Sequence, residues 1–208
     1  MFIMSDPAPR LPPMSFAFVV AVLAAYLIGS LDFAVVVARA RGINIYDVGS
    51  GNPGTSNVLR TMGKGAAAMT LLGDVLKGVV AAGMGFWVSG EMWGAAAAGF
   101  LAVLGHCYPV FHQFKGGKGV ATFAGMLLWI VPRAALVLIV IWIILVATTR
   151  VASIGSLTVI LLTIPAALFE GIETTAILWL AASVVVVAFR HKGNISRLLG
   201  QGERKVTS

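Results

Sequence analysis

AALVLIVIWIILVAT, residues 134–148, runs for fifteen positions without a charge. Apolar and polar residues do not alternate along it, as they would in a membrane barrel strand. In the hydrocarbon core of a bilayer every backbone N–H and C=O has to be paired within the chain, so an apolar run of this kind is a helix. Six further runs surround it, at 14–37, 66–88, 93–111, 120–131, 154–169 and 174–189. A crossing takes about 20 helical residues. The run at 120–131 is too short to cross alone and requires 116–119 folded into its start. These runs define an all-α, polytopic membrane protein of about seven transmembrane helices. The alternative is five or six full spans with re-entrant pieces, since the fourth to sixth runs are short.

The composition agrees. Of 208 residues, 59% are hydrophobic and 11% charged, and mean hydropathy is +0.95. Soluble domains carry about 25% charged residues, so a soluble globular domain and a disordered chain are both excluded. Residues 1–13 read as a disordered arm, 14–198 as one membrane-embedded catalytic domain, and 199–208 as a cytoplasmic tail. The single cysteine, Cys107, forms no internal disulfide and no metal-type Cys pair. The net charge of +7 is read against the membrane and not as a nucleic-acid surface. The odd-numbered connections and the C-terminal tail hold Arg39, Arg41, Arg60, Lys64, Lys115, Lys118, Arg150, Arg190, Lys192, Arg197, Arg204 and Lys205; the opposite side holds Arg10 and Arg133. Positive loops stay inside, which places the N-terminus outside and the C-terminus in the cytoplasm.

Basic loops alone need no substrate, but these loops are also rich in glycine and small polar residues. The first cluster is GSGNPGTSNVLR, 49–60. Its G-x-G-x-x-G lacks the preceding strand of a dinucleotide fold, but its glycines free backbone N–H groups for an anion. A helix after Pro53 adds the positive end of its dipole, and Arg60 adds a bidentate charge. The alternative is a plain connecting turn. The second cluster is FKGGKG, 114–119. It is no Walker A sequence, which needs Ser or Thr after the lysine; two lysines and three glycines at a helix start make a phosphate cradle, or a turn reaching lipid headgroups. The third, TTRVASIGS at 148–156, reads equally as a helix cap with a snorkelling Arg150. The fourth, HKGNISR at 191–197, adds His191 and Asn194 to cations that headgroup contact would already explain.

Asp74 and Lys77 lie inside the second run at i and i+3 and pair on one face. They are either functional or a neutralised pair joining helices. Asp32 sits near the inner end of the first run. His106 and His112 lack the spacing and carboxylates of a metal site. There is no G-x-S-x-G elbow, no H-x-x-x-x-D, no H-E-x-x-H and no D-x-D. The chain thus presents phosphate cradles without a nucleophile or a metal cage.

Taken together, 49–60, GHCYPVFHQFKGGKG at 105–119, GDVLKG at 73–78, Arg150 with Ser153, and His191-x-x-Asn194-Ile195-x-Arg197-Leu198 resemble the bacterial acyl-phosphate:glycerol-3-phosphate acyltransferase (PlsY) family over about 29–203. The resemblance implies an inner-membrane enzyme of phospholipid synthesis with its active site facing the cytoplasm. Its substrates would be acyl phosphate and glycerol 3-phosphate, and its products lysophosphatidate and phosphate, with no cofactor, metal or nucleic acid. It implies catalytic roles for Ser50, Arg60, Lys118, His191 and Asn194. It implies substrate or phosphate binding by Asn52, Gly54, Ser56, Asn57, Lys115, Gly116, Gly117, Arg150 and Ser153, with the N–H groups of Gly116 and Gly117 aimed at developing charge. The competing readings are a transporter of a phosphate ester or anion, and an alcohol phosphotransferase. The first normally shows inverted repeats. The second needs Mg²⁺ and carboxylate clusters.

Overall fold

The computed structural model describes residues 15–200 and 202–206; the arm expected at 1–13 lies outside them. Among the described residues the chain forms nine α-helices and no strand: α1 (Phe16–Gly29), α2 (Phe33–Arg39), α3 (Thr55–Ser89), α4 (Met92–Cys107), α5 (Val120–Ile130), α6 (Pro132–Thr149), α7 (Ala152–Phe169), α8 (Thr174–Arg190) and α9 (Lys192–Leu199). Every apolar run of the sequence is helical, and the differences in boundary have local causes. The first run breaks at residues 30–32, where Asp32 Oδ1 accepts the N–H groups of Ala34 (3.1 Å) and Val35 (3.3 Å) and starts a new helix bent by 40° from α1. The second extends backwards to Thr55, so the Thr55–Arg60 part of the first polar cluster is the opening of a helix. Gly63, at φ +81°, puts a kink between that opening and the apolar remainder.

The extension expected for the fourth run does not occur. Residues 116–118 are not helical, and Gly119, at φ +87°, caps α5 in the left-handed region. The helix is 11 residues long, about 16 Å at 1.5 Å per residue, short of the roughly 30 Å hydrocarbon core. It is stable because it is enclosed by protein: Phe123, Met126, Leu127 and Ile130 are buried in the main core. It crosses α3 at very close range. A Cβ on Gly78 would strike the Thr122 carbonyl, and one on Gly125 would strike the Val75 carbonyl. Small residues at a crossing bring backbones together where lipid offers no hydrophobic drive to pack helices.

The outer surface has the opposite character. Trp87 is 76% exposed, Leu161 75% and Phe169 94%. On a soluble protein such a surface would aggregate; against acyl chains it carries no penalty. α3, α6 and α7, and α4 together with the short turn that carries it on to His112, are each long and apolar enough to cross a bilayer, and the bent pairs α1–α2 and α8–α9 bring the number to six. α6 is the most peripheral, with only Ala135 and Leu138 buried.

Candidate active site

Residues from the three odd-numbered connections and the tail line one cavity of about 320 Å³. Ser50, Asn52, Gly54, Ser56, Asn57 and Arg60 reach it from the first connection, Lys118 from the second, Ser153 from the start of α7, and His191 and Asn194 from the end of α8 and from α9.

Asn57 organises the first loop. It is 1% exposed. Its Nδ2 donates to the Val48 carbonyl (3.0 Å), and its Oδ1 accepts the Ser50 N–H (2.8 Å) and Arg60 Nη2 (3.5 Å). Its amide is engaged in holding the loop rather than free for a ligand. Arg60 also donates to Ser50 Oγ (3.4 Å), which aligns hydroxyl and guanidinium on one side of the cavity. No side chain caps Gly54 at the start of α3, so that end of the helix keeps its unsatisfied N–H groups.

The glycine turn behaves differently from the expectation. Gly116 and Gly117 are buried and are absent from the cavity lining. The Gly117 N–H donates to the His106 carbonyl (3.1 Å), and Arg190 clamps the turn from the other side, Nε to Gly117 O (3.0 Å) and Nη2 to Gly116 O (2.6 Å). The Gly117 N–H is therefore not aimed at a reacting group. Glycine is needed there because a Cβ would collide with the His106 ring and the Pro53 carbonyl. What the turn delivers to the cavity is Lys118. Two further candidates are not brought to the site. Lys115 is exposed, and its carbonyl accepts the Tyr46 hydroxyl (2.9 Å) on another face of the loop. Arg150 is exposed at the left-handed end of α6, and its carbonyl accepts the Val206 N–H (2.8 Å).

That last bond folds the tail back over the site and brings in Glu203. Its carboxylate accepts Asn194 Nδ2 (2.5 Å), Arg197 Nε (3.0 Å), Ser153 Oγ (3.4 Å) and the Arg204 N–H (2.8 Å). Burial pushes the Glu203 carboxyl up, but the hydrogen bonds from Arg197, Arg204 and Asn194 outweigh it and hold it below the usual range. Burial lowers Lys118 to about 8, with Arg197, Arg60 and Arg190 acting the same way against Glu203. His191, 2% exposed, is held down at about 4, mainly by burial. Its Nδ1 lies 2.8 Å from the Val187 carbonyl. A carbonyl only accepts, so Nδ1 bears the proton and Nε2 keeps its lone pair.

Beyond this polar end the cavity continues between α5, α6 and α7 along Leu127, Leu128, Leu138, Ile139, Trp142 and Val159. One wall is thus cationic and hydrogen-bonding, and the other is hydrocarbon.

A family described as glycerol-3-phosphate acyltransferase matches residues 19–201. The chain belongs to the glycerol-3-phosphate acyltransferase family. Proteins of that name from Rubrobacter xylanophilus and Neisseria meningitidis serogroup C are similar to it, 40% identical over 90% of this chain and 94% of the relative, and 43% identical over 89% and 96%. Crystal structures of PlsY, an integral membrane glycerol 3-phosphate acyltransferase, have the same fold. The glycerol 3-phosphate form superposes with a TM-score of 0.86 at 34% identity, and the lysophosphatidic acid form with 0.85 at 33%. Each comparison covers 90% of this chain and 94% of the other.

Within this acyltransferase fold, sequence reasoning missed three residues. Glu203 is the lone acidic residue after Glu173, and that isolation among tail cations was the available signal. Arg190 was counted only as a charge, and stacking over Tyr108 at 5.1 Å holds it in place to clamp the turn. His106, weighed only as a metal ligand, lies beside the Asp74–Lys77 pair.

Proposed function

We propose that this acyltransferase moves a fatty acyl group from acyl phosphate to the 1-hydroxyl of glycerol 3-phosphate, releasing lysophosphatidate and phosphate. The observation that carries this reading is one cavity that has both a cationic end and a hydrocarbon lane. Both proposed substrates bear a phosphate, and one bears an acyl chain. Arg60 and Lys118 hold phosphate oxygens, Ser50 is oriented beside Arg60, and α5–α7 take the chain.

An acyl phosphate is already an activated mixed anhydride, so positioning and charge stabilisation suffice. The glycerol hydroxyl oxygen bonds to the carbonyl carbon, the bond from that carbon to the phosphate oxygen breaks, and the hydroxyl proton ends on the released phosphate. His191 Nε2, neutral and accepting, orients the hydroxyl. Among the described residues no triad is assembled around Ser50, whose Oγ accepts from the Asn52 N–H and Arg60, and this favours direct attack over an acyl-enzyme. Among the described residues no group of three or more His, Cys, Asp or Glu side chains is arranged to hold a metal ion, and the proposed reaction uses no metal.

The proposed setting is the bacterial cytoplasmic membrane, N-terminus outside, residues 14–198 forming the catalytic domain and the site opening to the cytoplasm. The cation asymmetry supports it. Detergent-purified protein given acyl phosphate, glycerol 3-phosphate and EDTA tests the reading: phosphate and lysophosphatidate appear in equal amounts. Transport of glycerol 3-phosphate into vesicles without acylation would replace it with the transporter reading.

A further inference from the structure

Asp74, Lys77 and His106 are 1%, 3% and 4% exposed, and none takes part in the proposed reaction. Burying three ionisable groups in a membrane bundle is costly unless they satisfy one another. Lys77 Nζ pairs with Asp74 Oδ1 at 2.7 Å, donates to His106 Nδ1 at 2.8 Å, and donates to the Leu31 carbonyl at 2.9 Å, where the α1–α2 break leaves that carbonyl outside a helix. An ammonium has no lone pair, so His106 Nδ1 accepts and the ring proton sits on Nε2. The Nε2 edge of the ring abuts Gly117, where no Cβ fits. The His106 carbonyl accepts the Gly117 N–H. Asp74 and His106 themselves line the inner wall of the cavity.

The network therefore ends on the residue before Lys118. We propose that His106 is a positioning residue: it couples the buried Asp74–Lys77 pair to the glycine turn and so sets where the Lys118 ammonium meets substrate phosphate. The side chain does this from below by packing on Gly117, while Arg190 holds the same turn from above. Fixing the ring requires Lys77, and burying Lys77 requires Asp74. The proposal rests on reading Lys118 as a phosphate-binding group.

The test reads Lys118 directly. The purified protein is treated with an amine-reactive reagent across about pH 6 to 11, spanning the lysine range, and labelling at Lys118 is followed by mass spectrometry with no substrate present. The charged groups facing this lysine are Glu203, Arg197, Arg60 and Arg190, with His191 beside it. The wild type is expected to label with a midpoint near 8. His106→Ala frees the turn and hydrates the ammonium. Its midpoint moves up by about one pH unit towards an ordinary lysine, and kcat/KM falls about tenfold or more. His106→Asn keeps an acceptor near the Nδ1 position and recovers part of both. A folded His106→Ala protein with an unmoved midpoint overturns the proposal, whatever its activity. If that variant does not fold, Asp74→Asn with Lys77→Met, which removes both charges together, is read the same way. A wild type that labels as described but transfers no acyl group refutes the proposed function and leaves the coupling standing.

Discussion

Lys118 is the residue on which charge, burial and geometry meet. Held at about 8 by burial, it is an ammonium at neutral pH and a neutral amine above that value. Free-enzyme activity that depends on its charge is present below about pH 8 and lost as pH rises through it. The expected kcat/KM for glycerol 3-phosphate has an alkaline limb there, absent in Lys118→Arg; a flat profile to about pH 9.5 removes Lys118 from the site. Lys118→Ala and Arg60→Ala are each expected to lower kcat/KM about a hundredfold or more while the protein stays folded, because a desolvated charge-assisted contact to phosphate is worth a few kcal/mol. His191 lies far from its protonation range near neutrality, and its proposed role is to orient the hydroxyl and not to shuttle a proton. Replacement by Gln is expected to keep a substantial fraction of the rate and the shape of the pH profile. A loss of about 10² to 10⁴, with an acid limb abolished, would make it the general base.

The helices are shaped by what they must approach. Gly78 and Gly125 let α3 and α5 touch backbone to backbone, and α5 carries the glycine turn at its start. Gly125→Leu forces the two helices apart. The expected result is a protein less stable by about 1–3 kcal/mol or more, seen as a lower thermal midpoint in detergent. Gly117→Ala displaces the His106 ring and is expected to cost activity before stability. Gly65→Ala is the control: a Cβ there meets nothing, and an exposed helical Gly→Ala change stabilises by up to about 1 kcal/mol. Comparable activity losses in Gly117→Ala and Gly65→Ala would show that the turn's packing does not matter.

At the scale of the molecule, the bundle gathers loops separated by some 150 residues, from Ser50 to Glu203, around one cavity. The tail completes it, since Glu203 links Asn194, Ser153 and Arg197. Glu203→Gln removes the anion from this cluster. We expect at least a tenfold fall in kcat/KM with insertion intact, measured on detergent-purified protein; wild-type turnover would reduce the tail to a cover. The donor is expected to be acyl phosphate alone. Acyl-CoA accepted at a comparable rate would overturn the proposed donor, and activity lost with EDTA would overturn the proposed metal-free step.

Membrane residence, the helical class and the four polar clusters were legible in the residues, because lipid forces long uncharged runs into helices and anion recognition requires glycine, small hydroxyls and cations in the connections. Ten of the fourteen candidate site residues line the cavity. Tertiary structure decided the rest. Lys115 and Arg150 have the right chemistry, but their backbones turn them outwards. Gly116 and Gly117 pack against His106, with Arg190 bonded to their carbonyls, and neither lines the cavity. Glu203, a single acid in a basic tail, enters the site only because the chain folds back on α6 through Arg150. Composition records which groups a loop carries; the direction each one points is set by partners distant in sequence.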